Sequence, residues 1–392
     1  MRRFYADLHI HVGCARGRAV KITASRQLTV YKILYEDAPL KGLDIVGIVD
    51  VGSPLVSCEI EGLLAGGLLR EVRGGGFMAA NGVLLVAGCE IETCEGIHII
   101  IYLPDIMSIH RLQHYLLSRV TNLQLSTQAA RVSTLDLINL NVLVGGIICP
   151  AHVFTPHKGI YGCWTRCWKD VLGKQAAQIK VLELGLSADT DMADCIAETR
   201  QLTFLSNSDA HSSGNVGREY NLLRMAGKNF EELRLCLYKS AGRNVVANFG
   251  MDPRLGKYHR TYCRHCRRIA AEEAPVRACP VCGGNAVVMG VFDRVAEIRD
   301  SEQPIHPLGR PPYHYRVPLK DLPGVGPRTL ERLHKAFPSE MYVLEQAPLE
   351  RIAIVGGPTV ANMICAMRKG RLRIKAGGGG YYGKVVKGDS HY

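Results

Sequence analysis

The sequence predicts an α/β barrel followed by a small cysteine-bearing module and a helical region. Three observations carry this prediction. Short apolar runs alternate with longer amphipathic ones over residues 1–250, four cysteines form two C-x2-C pairs between 251 and 300, and Gly-Pro turns separate short helical segments from residue 319 onward. Buried parallel strands joined by helices produce the first pattern, and such barrels place their chemistry at the C-terminal ends of the strands.

The overall composition indicates a globular chain without membrane segments. Its 392 residues suffice for two or three domains, and 47% of them are hydrophobic. The longest apolar runs are well short of the ~18 residues that a membrane helix needs. Asp7 and His9 interrupt any signal-like apolar stretch near the N-terminus. We therefore expect no membrane association and a cytoplasmic, nucleoid-associated protein.

Cysteine usage agrees with a reducing compartment. Ten of the fourteen cysteines are scattered singly or in loose pairs, which is typical of reduced core thiols. The remaining four are the two C-x2-C pairs.

Positive charge is concentrated in the last third of the chain. Residues 1–250 hold 25 Lys and Arg against 23 Asp and Glu, whereas residues 251–392 hold 23 against 13. This imbalance predicts that the last third binds a polyanion. The alternative is a basic region that only increases solubility.

The chain divides into four segments by composition. Residues 1–250 carry the barrel pattern, 251–300 the cysteine module, 301–318 a proline-rich linker, and 319–392 the helical region. The last of these includes a Gly-rich tail, 376–390, which we expect to be flexible without a partner.

Polar residues stand at the ends of the apolar runs in the barrel segment. In "DLHIH", His9 and His11 share one face of a strand because side chains alternate with a period of two. A single histidine of this kind is more often a hydrogen-bonded core residue. Eight imidazoles and carboxylates are expensive to bury unless paired or coordinated, so the set predicts a cluster of divalent cations. Its members are His9, His11, Asp50, Glu90, His98, His152, Asp209 and His211.

These motifs resemble the PHP family (polymerase and histidinol phosphatase) of metal-dependent phosphoesterases. The similarity rests on "DLHIH", "GCEIE", "PAH" and "SDAH" and covers about residues 1–250. It implies a distorted (β/α)7 barrel with two or three metal ions (Zn, Mg or Mn). The implied roles are His9 and His11 on one ion, Glu90 bridging, His98 and His152 on a second, and Asp209 and His211 completing the set, with Asp50 on a third ion.

The sequence departs from the family pattern at one position, and two of its acidic residues are candidates for catalysis. The histidine that commonly follows the aspartate at position 50 is absent, since Val51 stands there, which weakens the case for a third ion. Asp209 and Glu183 are the candidate catalytic residues, and Glu183 acts either as a general base or by orienting a metal ligand.

The spacing Cys263-x2-Cys266-x12-Cys279-x2-Cys282 predicts one structural zinc ion. Four thiolates leave no open coordination position, so this ion should fold the module and take no part in catalysis. Arg264 lies between the first two cysteines and Arg267 directly follows them, and both are candidate DNA-binding residues. The alternative is that these arginines only form part of a solvent-exposed charged surface.

The stretch "DLPGVGPRTLERLHKAF" predicts two helices joined by Gly324, Val325 and Gly326, with Arg328 beside the turn. Pro327 suits a first helical position, and the exposed N–H groups of such a turn can bind a phosphate oxygen. The stretch is similar to the helix-hairpin-helix DNA-binding motif. A weaker copy occurs at Gly357-Pro358. An ordinary helical turn is the alternative.

The loop after His152 is rich in flat side chains. Tyr161 and Trp164 are candidates for contacting a nucleotide, and packing against the barrel is the alternative.

The order of these parts resembles the endonuclease Q family of DNA-repair nucleases along the whole chain. The resemblance implies hydrolysis of the phosphodiester 5′ to a deaminated base (uracil, hypoxanthine, xanthine) or an abasic site, leaving 3′-hydroxyl and 5′-phosphate ends. It implies damaged double- or single-stranded DNA as partner, possible contact with a replication or repair factor, and a monomer. The alternatives are a small-molecule phosphatase of the histidinol-phosphatase type and a DNA-binding protein with an inactive barrel.

Overall fold

A curved sheet that starts at the second residue forms the barrel wall. The computed structural model describes residues 1–386, so residues 387–392, which include the last part of the Gly-rich tail, lie outside the described residues. The strands of the barrel segment are β1 (Arg2–Ile10), β2 (Cys14–Ala15), β3 (Arg18–Ala19), β4 (Ile45–Ile48), β5 (Leu69–Glu71), β6 (Phe77–Ala79), β7 (Leu84–Glu92), β8 (His98–Leu103), β9 (Ile147–Pro150), β10 (Val181–Glu183), β11 (Thr203–Leu205), β12 (Tyr220–Met225) and β13 (Asn244–Gly250).

Helices with well-formed caps lie between these strands. The helix at 54–65 begins at Pro54. Ser53 caps it, because its side chain accepts a hydrogen bond from Leu55 N. Ser133 and Asp136 form a reciprocal capping box at the start of another. The helices of the barrel segment are α1 (Val30–Lys32), α2 (Ala38–Lys41), α3 (Pro54–Ala65), α4 (Ile106–Leu116), α5 (Thr134–Leu143), α6 (Trp168–Leu172), α7 (Thr190–Asp194) and α8 (Phe230–Leu237).

The barrel mixes parallel and antiparallel pairs, which corrects the expectation of an all-parallel wall. Strand β4 pairs in parallel with β1 and β7, whereas β7–β8, β8–β9 and β1–β12 are antiparallel. The reason is local: residues 93–97 between β7 and β8 are too few for a crossover helix, so the chain turns back as a hairpin. The mixed pairing departs from a regular barrel, in agreement with the prediction of a distorted α/β barrel.

The two ends of the barrel segment meet at the end of β1. His11 N donates to Ala210 O at 3.0 Å, and Ile10 forms a parallel bridge with Ala210. Strands β10 and β11 are also parallel to one another. The "DLHIH" and "SDAH" motifs therefore lie side by side although 199 positions separate them.

Alternation along the strands places polar groups above an apolar core. Val86, Ile100 and Val181 belong to one buried cluster. Glu90, His98 and Glu183 lie an even number of residues from these positions on the same strands, so they project from the same face. The apolar cluster thus forms a floor beneath the polar strand ends.

The cysteine module packs on the barrel through its helix. It contains β14 (Tyr262–Cys263), β15 (Arg268–Ile269), β16 (Val287–Val288) and α9 (Val291–Ile298). Arg294 of α9 donates from Nε to Tyr161 O at 2.8 Å. Within the module, Arg260 pairs with the buried Asp293 at 3.0 Å.

The helical region has its own apolar core and is bound to the barrel by buried ion pairs. Its core includes Leu333, Ile352 and Ile364. Lys41 of α2 pairs with Glu340 at 2.8 Å, and both side chains are less than one-tenth exposed. The elements from residue 313 onward are β17 (Tyr313–Tyr315), α10 (Pro327–Ala336), α11 (Glu340–Glu345), α12 (Leu349–Gly356), α13 (Pro358–Arg368), β18 (Arg373–Lys375) and β19 (Lys384–Val386).

Two expectations for this region need correction. The first hairpin lacks a full leading helix, because only one 3-10 turn, Leu319–Asp321, precedes its glycines. The described part of the Gly-rich tail is hydrogen-bonded to the chain that follows β13, because Gly377 N and Gly383 N donate to Arg254 O and Leu255 O. In the part of the chain that the structure describes, no helix combines the length and the apolar character needed to cross a membrane.

Candidate metal centre

The end of β1 carries two buried histidines whose rings face one another. His9 and His11 are both 0% exposed, and their Nε2 atoms lie 3.2 Å apart. Both Nδ1 atoms are engaged by carboxylates: Glu183 Oε2 lies 2.9 Å from His9 Nδ1, and Asp50 Oδ1 lies 2.9 Å from His11 Nδ1. A carboxylate on Nδ1 fixes the tautomer that leaves the Nε2 lone pair free to bind a metal.

Glu90 at the end of β7 is the hub of the cluster. Its Oε1 lies 3.4 Å from His9 Nε2, 2.9 Å from His98 Nδ1 and 3.4 Å from His152 Nε2. Its Oε2 lies 3.5 Å from His11 Nε2. Because its two oxygens face different histidines, Glu90 can serve two ions at once.

Asp209, in the segment that pairs with the end of β1, completes the cluster. Its Oδ1 lies 3.5 Å from His9 Nε2, 3.4 Å from His11 Nε2 and 3.6 Å from His211 Nδ1. Its φ of +45° is unusual for a residue other than glycine. Backbone strain of this kind persists where the surrounding structure holds a residue in place.

Arg218 supplies part of that support. Its Nε donates to Ser208 O at 2.7 Å, and one terminal nitrogen donates to Asp209 O at 3.4 Å. The other terminal nitrogen lies 3.3 Å from the hydroxyl of Tyr382 in the C-terminal hairpin.

Asp50 and Glu183 lie behind the two histidines, each against an Nδ1 atom, so Glu183 is placed for the orienting role that is one of its two predicted roles. Asp50 is fully buried, and its oxygens form hydrogen bonds with His11 Nδ1, Val12 N and the hydroxyl of Ser126. It orients His11 and does not lie among the converging ligand atoms. Glu183 is also fully buried: it contacts His9 Nδ1, accepts from Asn207 and His152 N, and lines the cavity over the cluster. It therefore orients His9, and its role as a general base stays a prediction.

The donor set fits divalent cations. Groups of ligand atoms within 4.8 Å of one another are formed by His9, His11 and Glu90, by His11, Asp209 and His211, and by Glu90, His98 and His152. The Nε2 atoms of His9 and His11 converge on oxygens of Glu90 and Asp209, an arrangement that a cation stabilises. Burial opposes ionisation of Asp209, yet His9 and His11 hold the pKa of its carboxyl well below the usual range.

The four cysteines form a separate site with zinc geometry. Cys263 Sγ lies 3.9 Å from Cys282 Sγ, and Cys266 Sγ lies 3.8 Å from Cys279 Sγ. A tetrahedral zinc with Zn–S bonds of about 2.3 Å has S–S edges of about 3.8 Å. Backbone N–H groups of Cys282 and Val281 lower the pKa of the Cys279 thiol to about 6, which favours the thiolate that zinc binds.

A cavity of about 710 Å³ opens above the cluster. Side chains of His11, Glu90 and Asp209 form part of its lining, and Lys257, Tyr258 and Tyr382 line it from the C-terminal side. A cavity of this volume holds a ligand of nucleotide size. Residues from both the barrel and the last third of the chain therefore meet at one opening.

Sequence reasoning missed several residues of this site. Lys21, Arg218, Lys257 and Tyr382 all line the cavity. A lysine ten residues beyond the "HIH" pattern carries no recognisable signal, because only the fold of the β2–β3 turn brings it back to the cluster.

The predicted DNA-binding residues fall into two groups. Arg264, Arg267, Gly324, Gly326 and Arg328 are exposed. The Val325 side chain is 9% exposed and belongs to the apolar core of the helical region, and its N–H donates to Leu322 O, so Val325 supports the turn and offers no free contact.

Tyr161 lies in the core and offers no exposed ring surface, which favours the packing alternative over the predicted nucleotide contact. Its ring is 0% exposed between Phe154 and Trp168, with centroids 5.4 and 5.5 Å away. Its hydroxyl donates to Glu198 Oε1 at 2.8 Å. Trp164 is partly buried and packs against the barrel core. Packing, the alternative reading of this loop, explains both residues.

Comparison with known proteins agrees with the fold and the site. A family model described as PHP-associated matches residues 189–235. The uncharacterized protein YqxK of Bacillus subtilis (strain 168) is 42% identical over 393 residues, covering 98% of this chain and 100% of its own. The lesion-specific endonuclease PfuEndoQ from Pyrococcus furiosus superposes with a TM-score of 0.85 at 33% identity, covering 99% of this chain and 96% of its own. A complex of Endonuclease Q with a 27-mer duplex substrate that has an abasic lesion at the active site gives the same TM-score and identity, with 99% and 97% covered.

The fold and the site define a metal-dependent enzyme of the PHP class. Within this class, the chain belongs to the endonuclease Q family. The prediction of a metal-dependent endonuclease is thereby confirmed.

Proposed function

We propose that this protein is a lesion-specific DNA endonuclease that hydrolyses the phosphodiester on the 5′ side of a deaminated base or an abasic site, leaving a 3′-hydroxyl and a 5′-phosphate. One observation carries the proposal. The chain matches Endonuclease Q over 99% of its length, including a complex with a duplex that has an abasic lesion at the active site. The cluster of histidines and carboxylates that could hold metal ions supports the same activity, and so does the basic last third of this chain.

The metal cluster supports the hydrolytic part of this proposal. His9, His11, Asp209 and His211 on one side, and Glu90, His98 and His152 on the other, would hold divalent ions. Such ions, when bound, lower the pKa of water and neutralise charge on a phosphoryl group. Glu183 and Asp50 keep both imidazoles of the "HIH" motif in the metal-binding tautomer.

The last third of the chain supports the DNA-binding part. Among the backbone hydrogen bonds of the described residues, none is donated by Gly324 or Gly326 of the exposed turn before α10. Free N–H groups at a helix start bind phosphate oxygens without reading the base. Arg328 beside them and Arg264 on the zinc module add positive charge to exposed surfaces.

The cavity supports a flipped-out nucleotide. An enzyme that acts at one base of a duplex must turn that nucleotide out of the stack. The opening of about 710 Å³ lies directly over the cluster and has room for one nucleotide.

The test is a cleavage assay on end-labelled duplexes that carry uracil, hypoxanthine, xanthine, an abasic site or no lesion, with Mg²⁺ or Mn²⁺. We expect incision only at the lesions, one phosphodiester on their 5′ side. Asp209→Asn should abolish incision while the protein still binds the duplex. Equal cutting of all duplexes would indicate a nonspecific nuclease. Release of phosphate from small phosphomonoesters without any incision would indicate the phosphatase alternative.

A further inference from the structure

The ammonium group of Lys21 lies within the cluster of imidazoles and carboxylates that would hold metal cations. It follows β3, and its backbone N–H donates to Val12 O at 3.1 Å, just beyond His11. The preceding residue, Val20, donates to Gly13 O at 3.1 Å, and Val20 O accepts from Ser126 N at 3.1 Å. These bonds fix the turn to the end of β1. The side chain of Lys21 is 12% exposed and lines the cavity over the cluster.

The ammonium group points at the bridging carboxylate. Lys21 Nζ lies 3.2 Å from Glu90 Oε2, the same oxygen that faces His11 Nε2 at 3.5 Å. Throughout residues 1–386, Glu90 is the one acidic partner within 4.0 Å of this ammonium. Burial opposes ionisation of Glu90, but the charges of His98 and Lys21 hold the pKa of its carboxyl well below the usual range.

Metal binding would leave this lysine without a counter-charge. Ions held by Glu90 would satisfy the negative charge of that carboxylate, and they repel a nearby ammonium. A buried lysine that loses its partner is costly unless another anion arrives. The cavity that Lys21 lines is the place where the proposed substrate would bring a phosphodiester.

We propose that Lys21 is a catalytic residue whose ammonium binds a non-bridging oxygen of the scissile phosphodiester and stabilises the charge that develops there in the transition state. This inference rests on the proposed function. In the hydrolysis, the oxygen of water bonds to phosphorus while the bond from phosphorus to the 3′ oxygen breaks. One proton of the water ends on the 3′ oxygen, and the other passes to solvent. Lys21 forms no covalent bond and transfers no proton.

The experiment compares Lys21→Met and Lys21→Arg with the unaltered protein in single-turnover cleavage of an abasic or uracil duplex. Removal of one preorganised donor from a transition state typically slows the chemical step about 10²- to 10³-fold. We expect a loss of this size for Lys21→Met and a smaller loss for Lys21→Arg, which keeps the charge. Affinity for the lesion duplex should change less than about threefold, because the contact strengthens in the transition state.

Two further measurements separate catalysis from support of the metal centre. The content of bound metal, measured by mass spectrometry, should be the same in both variants as in the unaltered protein. Sulfur at the oxygen that Lys21 contacts should slow the unaltered protein more than it slows Lys21→Met, because that contact is already lost in the variant. Lys174→Met removes an exposed lysine outside the cavity and should leave all of these quantities unchanged.

Three results would overturn the inference: cleavage by Lys21→Met within threefold of the unaltered protein, a fall in metal content that parallels the loss of rate, or an unchanged sulfur effect. Failure of the unaltered protein to cut any lesion duplex would instead refute the proposed function. The two failures are therefore distinguishable in the same set of assays.

Discussion

At the scale of single residues, the centre consists of imidazoles positioned by buried carboxylates. Sequence pattern alone identified the imidazoles and carboxylates that converge, because they end successive apolar runs. It could not separate ligands from their supports, since Asp50 and Glu90 look alike in sequence. Only the structure shows that Asp50 faces Nδ1 of His11 whereas Glu90 faces Nε2.

Glu219 is a buried carboxyl with a consequence for stability against pH. It is 0% exposed, its Oε1 accepts from Met251 N at 2.8 Å, and its Oε2 has no hydrogen-bond partner. Burial, together with the charges of Glu183 and Asp7, raises the pKa of Glu219 to about 8. The folded state therefore holds a proton on this group between about pH 4.5 and 8 that the unfolded chain releases.

We predict that this group makes the protein less stable as pH rises through that window. Below about pH 4.5 both states are protonated, and the contribution of Glu219 to stability is fully present. It is lost at roughly 1.4 kcal/mol per pH unit until the folded group ionises near pH 8. Glu219→Gln removes the ionisation, so the variant should gain free energy of unfolding relative to the unaltered protein as pH rises from 5 to 9.

Urea denaturation at pH 5, 7 and 9 measures this difference. The partly exposed Glu231, paired with Arg234 on α8, provides the control Glu231→Gln, which removes a surface carboxyl and leaves Glu219 in place. Parallel pH curves for Glu219→Gln and the unaltered protein would contradict the prediction.

At the scale of secondary-structure elements, turns hold the proposed contacts with DNA. Gly324 has a φ of +93°, in a region that side chains with a Cβ atom avoid, and its neighbour Val325 is anchored in the core. The conformation of this turn is therefore set jointly by glycine and by packing.

We predict that Gly324→Ala weakens duplex binding several-fold, equally for damaged and undamaged DNA. Space is available for the methyl group, whose first contacts would lie at 3.4 Å, so the effect comes from backbone strain. Phosphate contacts carry no sequence information, which is why all duplexes should be affected alike. Fluorescence anisotropy of labelled duplexes over a range of salt concentrations measures this loss of affinity.

The matched control is Gly356→Ala at the end of α12. This glycine has ordinary helical geometry, and a methyl group there meets its neighbours at 3.4 Å, an ordinary contact. Affinity should stay unchanged. A loss confined to lesion-bearing duplexes in Gly324→Ala would count against a phosphate-binding role for the turn.

The elements also show where sequence patterns fall short. Apolar runs identified the strands but not their direction, because a buried strand has the same composition in parallel and antiparallel pairs. Hairpin direction depends on connection length, and the five residues between β7 and β8 decide it. The glycine content of the Gly-rich tail predicts a flexible segment. The backbone of its described part is hydrogen-bonded to residues 254–257, a contact that composition does not reveal.

At the scale of the whole molecule, polar contacts of Glu340 and Glu345 attach the helical region to the barrel. Glu340 of α11 accepts from Lys41 at 2.8 Å and from His334 at 2.9 Å. Arg316 pairs with Glu345, which also accepts from Tyr220 of β12. These contacts connect the helical region, which carries the proposed DNA-binding turns, to β12. Strand β12 pairs with β1, the strand that leads to His9 and His11.

We predict that Glu340→Gln destabilises the protein by about 3 kcal/mol, because it leaves the buried ammonium of Lys41 without a counter-charge. Chemical denaturation measures the loss. Glu331→Gln alters an exposed pair with Lys335 in the adjacent α10 and should leave stability unchanged. Equal effects of the two substitutions would show that the Lys41–Glu340 pair does not attach the helical region.

Strand β17 changes how the proline-rich segment is understood. Its three residues pair in parallel with β13, so a stretch that looks like a spacer completes the rim of the catalytic barrel. A shortened protein that stops at residue 250 would present the N–H and C=O groups of β13 to solvent as an open edge, and open edges invite association between copies. The barrel sheet therefore includes a strand from the segment that leads into the helical region, and cutting the chain between the two parts would remove that strand from the sheet.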